Sequence, residues 1–189
     1  MLLNYCQREK NTMQASDPTA KLGKGFALIA WLLVLAVIYL LFDEAIAHKL
    51  NPNQQVQSVV NAQGQAEVTL TRNQSGHYVG TLQLNGVDVV FLLDTGATVV
   101  AVSPEVAKRT GMPQGQPYQV NTANGVTTAY QSHINSLKLG DILLRDLPAS
   151  IVPNLTTTRG GTEILLGMSA LKHLEFAQQA NQLQLKQRN

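Results

Sequence analysis

Cysteine is almost absent from this sequence: among its 189 residues, Cys6 is the only one. One thiol excludes an intramolecular disulfide, and one thiol alone does not make a structural zinc site. The four histidines show no spacing typical of metal ligands; they are His48, His77, His133 and His173. We therefore expect a protein without disulfides, bound metal or cofactor.

Clustered charge is absent as well. The chain has 14 Lys and Arg residues against 12 Asp and Glu residues, and its formal net charge is +2. Neither half of the sequence concentrates basic residues in the stripe that binding to a phosphate backbone requires. Nucleic acid is therefore not an expected partner.

One stretch lacks charge and proline altogether. Phe26–Phe42, FALIAWLLVLAVIYLLF, has 17 residues, which is close to the shortest length that spans a bilayer. A buried core helix is the alternative, but such a helix normally keeps polar residues on one side. The pattern predicts a transmembrane signal-anchor helix at residues 25–42, after an N-terminal segment of residues 1–24. A polar linker at residues 43–65 and a folded domain at residues 66–189 are expected to follow.

The flanking charges predict the orientation of this helix. Basic residues precede it, namely Arg8, Lys10, Lys21 and Lys24, whereas Asp43 and Glu44 follow it directly. The positive-inside bias places the N-terminus in the cytoplasm and the folded domain in the periplasm, as a single-pass protein of the inner membrane. Ala45–Ala47 has the small-x-small form of a signal-peptidase site, but the long polar leader favours an uncleaved anchor.

Strand patterns and turn dipeptides dominate the rest of the chain. Asn85-Gly86 separates two alternating runs and accepts the positive φ angles of a type I′ hairpin turn. Asn124-Gly125 and Gly140-Asp141 predict two further hairpins. Short helices are expected at Ser103–Gly111, with Ser103 as N-cap, and at Gly167–Leu174. The predicted fold class is all-β with two short helices, arranged as a small, partly closed barrel.

The hairpin around Asn124-Gly125 is unusual because its two runs are polar on both faces. Such a strand pair gains little from packing, so it is expected to project from the barrel and to move. A solvent-exposed hairpin without any role is the alternative.

Asp94 stands inside the apolar run VVFLLDTGATVVAVS, where burial of an unpaired carboxylate would cost several kcal/mol. It could simply open a turn, since Asp-Thr-Gly is good turn chemistry. It could be an aspartyl-phosphate site, but the surrounding sequence lacks the further carboxylates that such a site needs. It could also belong to a catalytic carboxylate pair: Asp94 would activate water, the Thr95 hydroxyl would brace the turn, and Gly96 would let the backbone turn tightly.

The segments of the domain favour this last interpretation. In chain order they are GHYVGTLQLNG, FLLDTGAT, the helix after Ser103, NTANG and ILLGMSAL. They resemble the retropepsin-like aspartic proteases, specifically the membrane-anchored bacterial group, over nearly all of Glu67–Leu185. The resemblance implies a retropepsin-like half-barrel acid protease fold in which Asp94 is catalytic and Thr95 and Gly96 support the active-site loop.

The resemblance implies further site residues. A hydrophobic-hydrophobic-Gly element, whose strand crosses near the active-site loop, corresponds to Leu165, Leu166 and Gly167. NTANG resembles the flap that closes over substrate. The expected substrate-binding positions are Ala97, Thr98, Ala123, Asn124 and Gly125.

Two positions depart from the retroviral members of the family. Thr98 stands where those enzymes commonly have an acidic residue, and Met168 stands where they often have Arg. A salt bridge or backbone-anchoring pair familiar from the viral enzymes is therefore expected to be absent.

The sequence contains one Asp-Thr-Gly triplet, and the domain is half the size of a two-lobed enzyme. A catalytic carboxylate pair would need Asp94 of a second molecule, brought by an isologous twofold contact. The sequence therefore predicts a membrane-anchored aspartic endopeptidase that acts on polypeptides as a homodimer. A non-catalytic, membrane-tethered dimerisation or peptide-binding module of the same fold is the alternative.

Overall fold

The computed structural model describes residues 18–62, 64–122, 125–155 and 161–188. The chain divides into two units, with the boundary between Asp43 and Glu44. The elements in chain order are α1 Pro18–Leu50, β1 Gln57–Val60, β2 Ala66–Thr71, β3 Val79–Leu84, β4 Val87–Leu93, β5 Val100–Val102, α2 Pro104–Arg109, β6 Pro117–Thr122, β7 Gly125–Leu139, β8 Ile142–Ile151, β9 Ile164–Leu166, α3 Met168–Leu171, β10 Leu174–Gln179 and β11 Gln182–Gln187.

The N-terminal helix α1 is longer than the predicted span of residues 25–42 at both ends. Its stretch Gly25–Leu50 is long and apolar enough to cross a membrane. Its side chains from Phe26 to Phe42 are exposed. Cys6 and the basic residues Arg8 and Lys10 lie outside the described residues.

The strands form two sheets. A four-stranded antiparallel sheet has the order β1-β2-β11-β10, and a seven-stranded sheet has the order β3-β4-β9-β5-β8-β7-β6. β3 also pairs with β7, through Gln83↔Lys138 and Leu84↔Leu137, and this contact closes the larger sheet into a barrel that leaves β6 outside. The all-β, partly closed barrel predicted from the sequence is confirmed.

One hydrophobic core lies between the two sheets. In β2 the side chains alternate, so that Ala66, Val68 and Leu70 are buried and the intervening residues are not. These three side chains belong to the same core cluster as the inward-facing residues of the barrel, including Phe91 of β4. The period-two pattern of the sequence thus specifies which face of each strand is covered.

The local signals for turns and caps predict the structure well. Asn85 and Gly86 have φ angles of 50° and 83°, as a type I′ turn requires. β7 and β8 meet around Gly140-Asp141 as expected. α2 begins after Ser103, whose hydroxyl accepts a hydrogen bond from the backbone amide of Val106.

The stretch predicted as a polar linker, residues 43–65, contains regular structure. α1 continues to Leu50, and β1 pairs with β2. Asn53 is 4% exposed; its side-chain amide donates to the carbonyls of Thr71 (2.9 Å) and Val79 (2.6 Å), and its Oδ1 accepts from the Thr71 amide at 2.7 Å. Asn53 is therefore a structural residue that satisfies backbone groups of two strands, although Gln54, Gln55 and Gln57 around it are exposed.

Asn53→Ala is expected to lower the free energy of unfolding by about 2–4 kcal/mol. The substitution removes the hydrogen-bond partner of the buried Val79 carbonyl and of the partly buried Thr71 amide and carbonyl, and each buried group left without a partner costs about 1–3 kcal/mol. Chemical denaturation of the full chain in detergent measures the effect. Gln54→Ala, at an exposed neighbour, should change stability by less than about 0.5 kcal/mol. Equal effects of the two substitutions would show that the hydrogen bonds of the Asn53 side chain do not stabilise the fold.

Tyr78→Phe is expected to leave stability unchanged or to raise it by up to about 1 kcal/mol. The Tyr78 hydroxyl is buried and has no hydrogen-bond partner among the described residues, so the substitution removes a polar group that gains nothing from its surroundings. The same denaturation experiment tests this expectation. A loss of stability greater than about 1 kcal/mol would show that the hydroxyl is hydrogen-bonded in the folded protein.

Candidate active site

Asp94 directly follows β4, one of the strands of the barrel. Val89 and Phe91 are buried in the core, so the strand that leads to the aspartate is fixed by packing. β4 ends at Leu93, and the backbone amide of Asp94 donates to the carbonyl of Leu166 at 3.1 Å. The position of Asp94 is therefore set by both β4 and β9.

The aspartate opens a tight turn. The Gly96 amide donates to Asp94 Oδ1 at 2.8 Å, and the Ala97 amide donates to the Asp94 carbonyl at 3.3 Å. Asp94 therefore does open a turn, as one interpretation of the sequence held, and the hydrogen bond from Gly96 orients the Asp94 carboxylate. Asp94 itself is only partly buried in the single chain, in contrast to the burial suggested by its apolar neighbours, because the strand ends just before it.

The residues that follow Asp94 face outward. Thr95, Gly96 and Thr98 are exposed and Ala97 is partly buried. The Thr95 hydroxyl, which was expected to brace the turn, makes no hydrogen bond within the described part of the chain. No hydrogen bond between described residues connects Thr95, Thr98 or Gly125 to the Asp94 carboxylate.

The hydrophobic-hydrophobic-Gly element crosses directly behind this loop. β9 lies between β4 and β5, with Leu165 paired to Leu92 on one side and to Ala101 on the other. Leu166 and Gly167 are buried. The crossing segment holds both ends of the aspartate loop. At the start of the loop the Leu166 carbonyl accepts a hydrogen bond from the Asp94 amide, and at its end the Met168 amide donates to the Ala97 carbonyl at 2.8 Å.

Gly167 approaches the loop too closely for any side chain. A methyl group at this position would lie 2.3 Å from the carbonyl oxygen of Val99 and 2.7 Å from that of Ala97. Its φ of −91° is ordinary, so the requirement for glycine is steric and not conformational. The glycine allows β9 and the aspartate loop to pack backbone against backbone.

Ser169 is a loop contact that no sequence motif singles out. It is 4% exposed, and its hydroxyl accepts a hydrogen bond from the Val100 amide at 2.9 Å. It thereby holds the chain where the loop returns into β5. A serine in a short helix is common, so only the paired strands reveal this role.

The predicted flap is the β6–β7 hairpin. Ala123 and Asn124, predicted at its tip, lie outside the described residues. Gly125 is not part of the connecting turn, as Asn124-Gly125 suggested, but begins β7 with a φ of 104° and pairs with Thr122. Most side chains of this hairpin beyond its base are exposed or only partly buried, as expected from its polar composition.

A small apolar cluster lies where this hairpin joins the barrel. Its buried members are Ala101, Ala129 and Val152, and partly buried side chains pack against them, namely Tyr118, Val120, Leu155 and Leu165. It is separate from the main core, and it contains Leu165 of the crossing strand. The sequence alone did not identify the cluster, because its members come from five separate segments.

The chemistry available in one chain is limited. The described residues contain no group of three or more His, Cys, Asp or Glu side chains that could hold a metal ion. No other described carboxylate bonds to Asp94. The site thus offers one oriented carboxylate, which can accept a proton from water, without a second acid beside it.

Comparisons with known proteins agree with this geometry. Residues 80–173 match the family model described as "gag-polyprotein putative aspartyl protease". A Sinorhizobium protein named "Uncharacterized protein in cobV 5'region" is 30% identical over 170 residues, covering 84% of this chain and 71% of the relative. The crystal structure of a retropepsin-like aspartic protease from Rickettsia conorii is similar with a TM-score of 0.53 and 26% identity, covering 70% of this chain and 96% of that one.

The family match and the similar crystal structure therefore assign the barrel that carries the Asp-Thr-Gly loop to the retropepsin-like aspartic protease fold. The chain belongs to the retropepsin-like aspartic protease family, which confirms the family inferred from its motifs, while its membership of the membrane-anchored bacterial group stays a prediction.

Proposed function

We propose that this protein is a membrane-anchored aspartic endopeptidase that is active as a homodimer. The observation that carries the proposal is the held carboxylate of Asp94: Gly96 binds one carboxylate oxygen, and β9 fixes the loop from behind. A turn that served only to reverse the chain would not need the steric constraint found at Gly167.

The second carboxylate is supplied by Asp94 of another copy. Two carboxyl groups about 3 Å apart cannot both ionise easily, so they share one proton. The ionised partner takes a proton from water, which attacks the peptide carbonyl, and the protonated partner donates to the carbonyl oxygen. The partial exposure of Asp94 in the single chain leaves this carboxylate accessible to a second subunit.

The substrate is a polypeptide in extended form beneath the β6–β7 hairpin. Ala97, Thr98 and Gly125, together with Ala123 and Asn124, are its proposed contacts. Closing the hairpin would exclude water and align the peptide with the two aspartates.

The anchor is α1. Its apolar stretch supports membrane insertion, and the surrounding charges support a cytoplasmic N-terminus with the protease domain in the periplasm. Residues 1–24 would form the cytoplasmic segment and residues 25–42 the membrane-spanning part. Two copies confined to one membrane meet at a raised effective concentration, which favours the dimer.

Incubation of the full chain in detergent with a mixed peptide library tests the proposal. Mass spectrometry of the products, across mildly acidic and neutral pH, is expected to show cuts that require Asp94. If a folded, dimeric protein makes no cut, the alternative gains support, namely a membrane-tethered dimerisation or peptide-binding module of the same fold.

A further inference from the structure

The β6–β7 hairpin is attached to the barrel at its base only. β7 pairs with β8 from Tyr130 onward, whereas its residues 125–129 pair with β6 alone. β6 is the edge strand of the large sheet. Apart from the pairing of β6 with β7, residues 117–122 and 125–129 have no strand partner among the described residues. The position of the hairpin therefore depends on contacts made by its side chains.

A continuous row of side chains crosses the large sheet from this hairpin towards Asp94. Residues that pair across strands, or lie two apart along one strand, share a face of a sheet. By the observed registers the row consists of Tyr118, Ala129, Gln131, Ser150, Ala101, Leu165 and Leu92. Leu92 is two residues before Asp94, so the row ends beside the active-site loop.

Tyr118 is the large residue at the hairpin end of this row. The small side chains of Ala101 and Ala129 leave space for its ring, which packs against their cluster. The Tyr118 hydroxyl forms a hydrogen bond with the Ser150 hydroxyl, and Ser150 is 2% exposed. The bond reaches past β7 and joins β6 to β8, a strand with which β6 does not pair.

We propose that the Tyr118–Ser150 bond is a clamp that sets the closed position of the hairpin. Tyr118 and Ser150 are then positioning residues for the reaction, since they act through the hairpin and not on the peptide bond. This inference rests on the proposed protease function. With the clamp intact, the hairpin stays seated on the row that leads to Asp94; without it, the closed state is less populated and peptide is held less tightly.

Tyr118→Phe in the full chain tests the clamp, because it keeps the ring and removes the bond. For the peptide cut fastest in the library, we expect KM to rise about fivefold, the equivalent of one hydrogen bond, and kcat to change less. Backbone amides of residues 118–122 and 125–129 should exchange with deuterium faster by a similar factor. Ser150→Ala should reproduce both effects, and combining the two substitutions should add little, because both remove the same bond.

Gln119→Ala is the matched control. Gln119 neighbours Tyr118, is exposed, and bonds to Thr128 inside the hairpin, so its loss should leave KM and exchange near the wild-type values. Unchanged KM and exchange in Tyr118→Phe would overturn the clamp, as would equal changes in Gln119→Ala. If the wild type makes no Asp94-dependent cut, the protease proposal fails, whereas the exchange measurement still decides whether the clamp holds the hairpin.

Discussion

Asp94→Asn is expected to abolish peptide cleavage, with kcat reduced by about a thousandfold or more. The amide neither takes a proton from water nor shares one with a second carboxyl group. The fold should survive, because asparagine keeps the Oδ1 that accepts the 2.8 Å hydrogen bond from Gly96. Mass spectrometry of peptide products measures the first effect, and circular dichroism with thermal melting measures the second.

Asp88→Asn is the control for this substitution. Asp88 is an exposed carboxylate on β4, the strand that leads to Asp94, so the change alters charge to the same extent and should leave activity and stability nearly unchanged. Cleavage retained by Asp94→Asn would refute the catalytic assignment. Loss of both cleavage and fold would instead assign Asp94 a structural role in the turn.

Gly167→Ala is expected to lower the free energy of unfolding by about 3 kcal/mol or more and to remove activity. The added methyl group meets backbone carbonyls of Val99 and Ala97, which cannot rotate away as a flexible side chain would. Relief requires a shift of the whole loop, at the upper end of the cost of overpacking. Chemical denaturation and the peptide assay test the two parts.

Gly111→Ala separates this steric effect from conformational strain. Gly111 has a φ of 67°, and no heavy atom lies within 4 Å of the place where its methyl group would stand. Its substitution should cost about 1 kcal/mol through backbone strain alone. If Gly167→Ala costs no more than Gly111→Ala, the close approach of β9 to the loop is not the constraint described above.

Much of the fold could be predicted because its signals are local. Asn85-Gly86 and the Ser103 cap each act within a few residues, so the sequence contains the whole cause. The alternation in β2 likewise depends only on which side chains are apolar. The turn between β6 and β7 was predicted less well. The dipeptide Asn124-Gly125 suggested that Gly125 lies in the turn, but the register of the two strands makes Gly125 the first residue of β7.

The remaining features depend on partners far along the chain. Asn53 looks like part of a solvated linker until Thr71 and Val79 are found beside it. Nothing near them in the sequence distinguishes Ser169 or Tyr118, because their hydrogen-bond partners, Val100 and Ser150, are distant along the chain. Asp94 could be singled out from its apolar neighbours, but Gly167 could be connected with it only because their motifs resemble a family in which the two segments meet.

The most direct test of a shared active site is the activity of mixed dimers. Wild-type chain and Asp94→Asn chain would be co-expressed at equal levels, purified together in detergent, and compared with the same total amount of wild type. Random pairing leaves about one quarter of the dimers with two aspartates, so the account predicts about one quarter of the wild-type activity. About one half would contradict it, since each chain would then cut peptides without its partner's carboxylate.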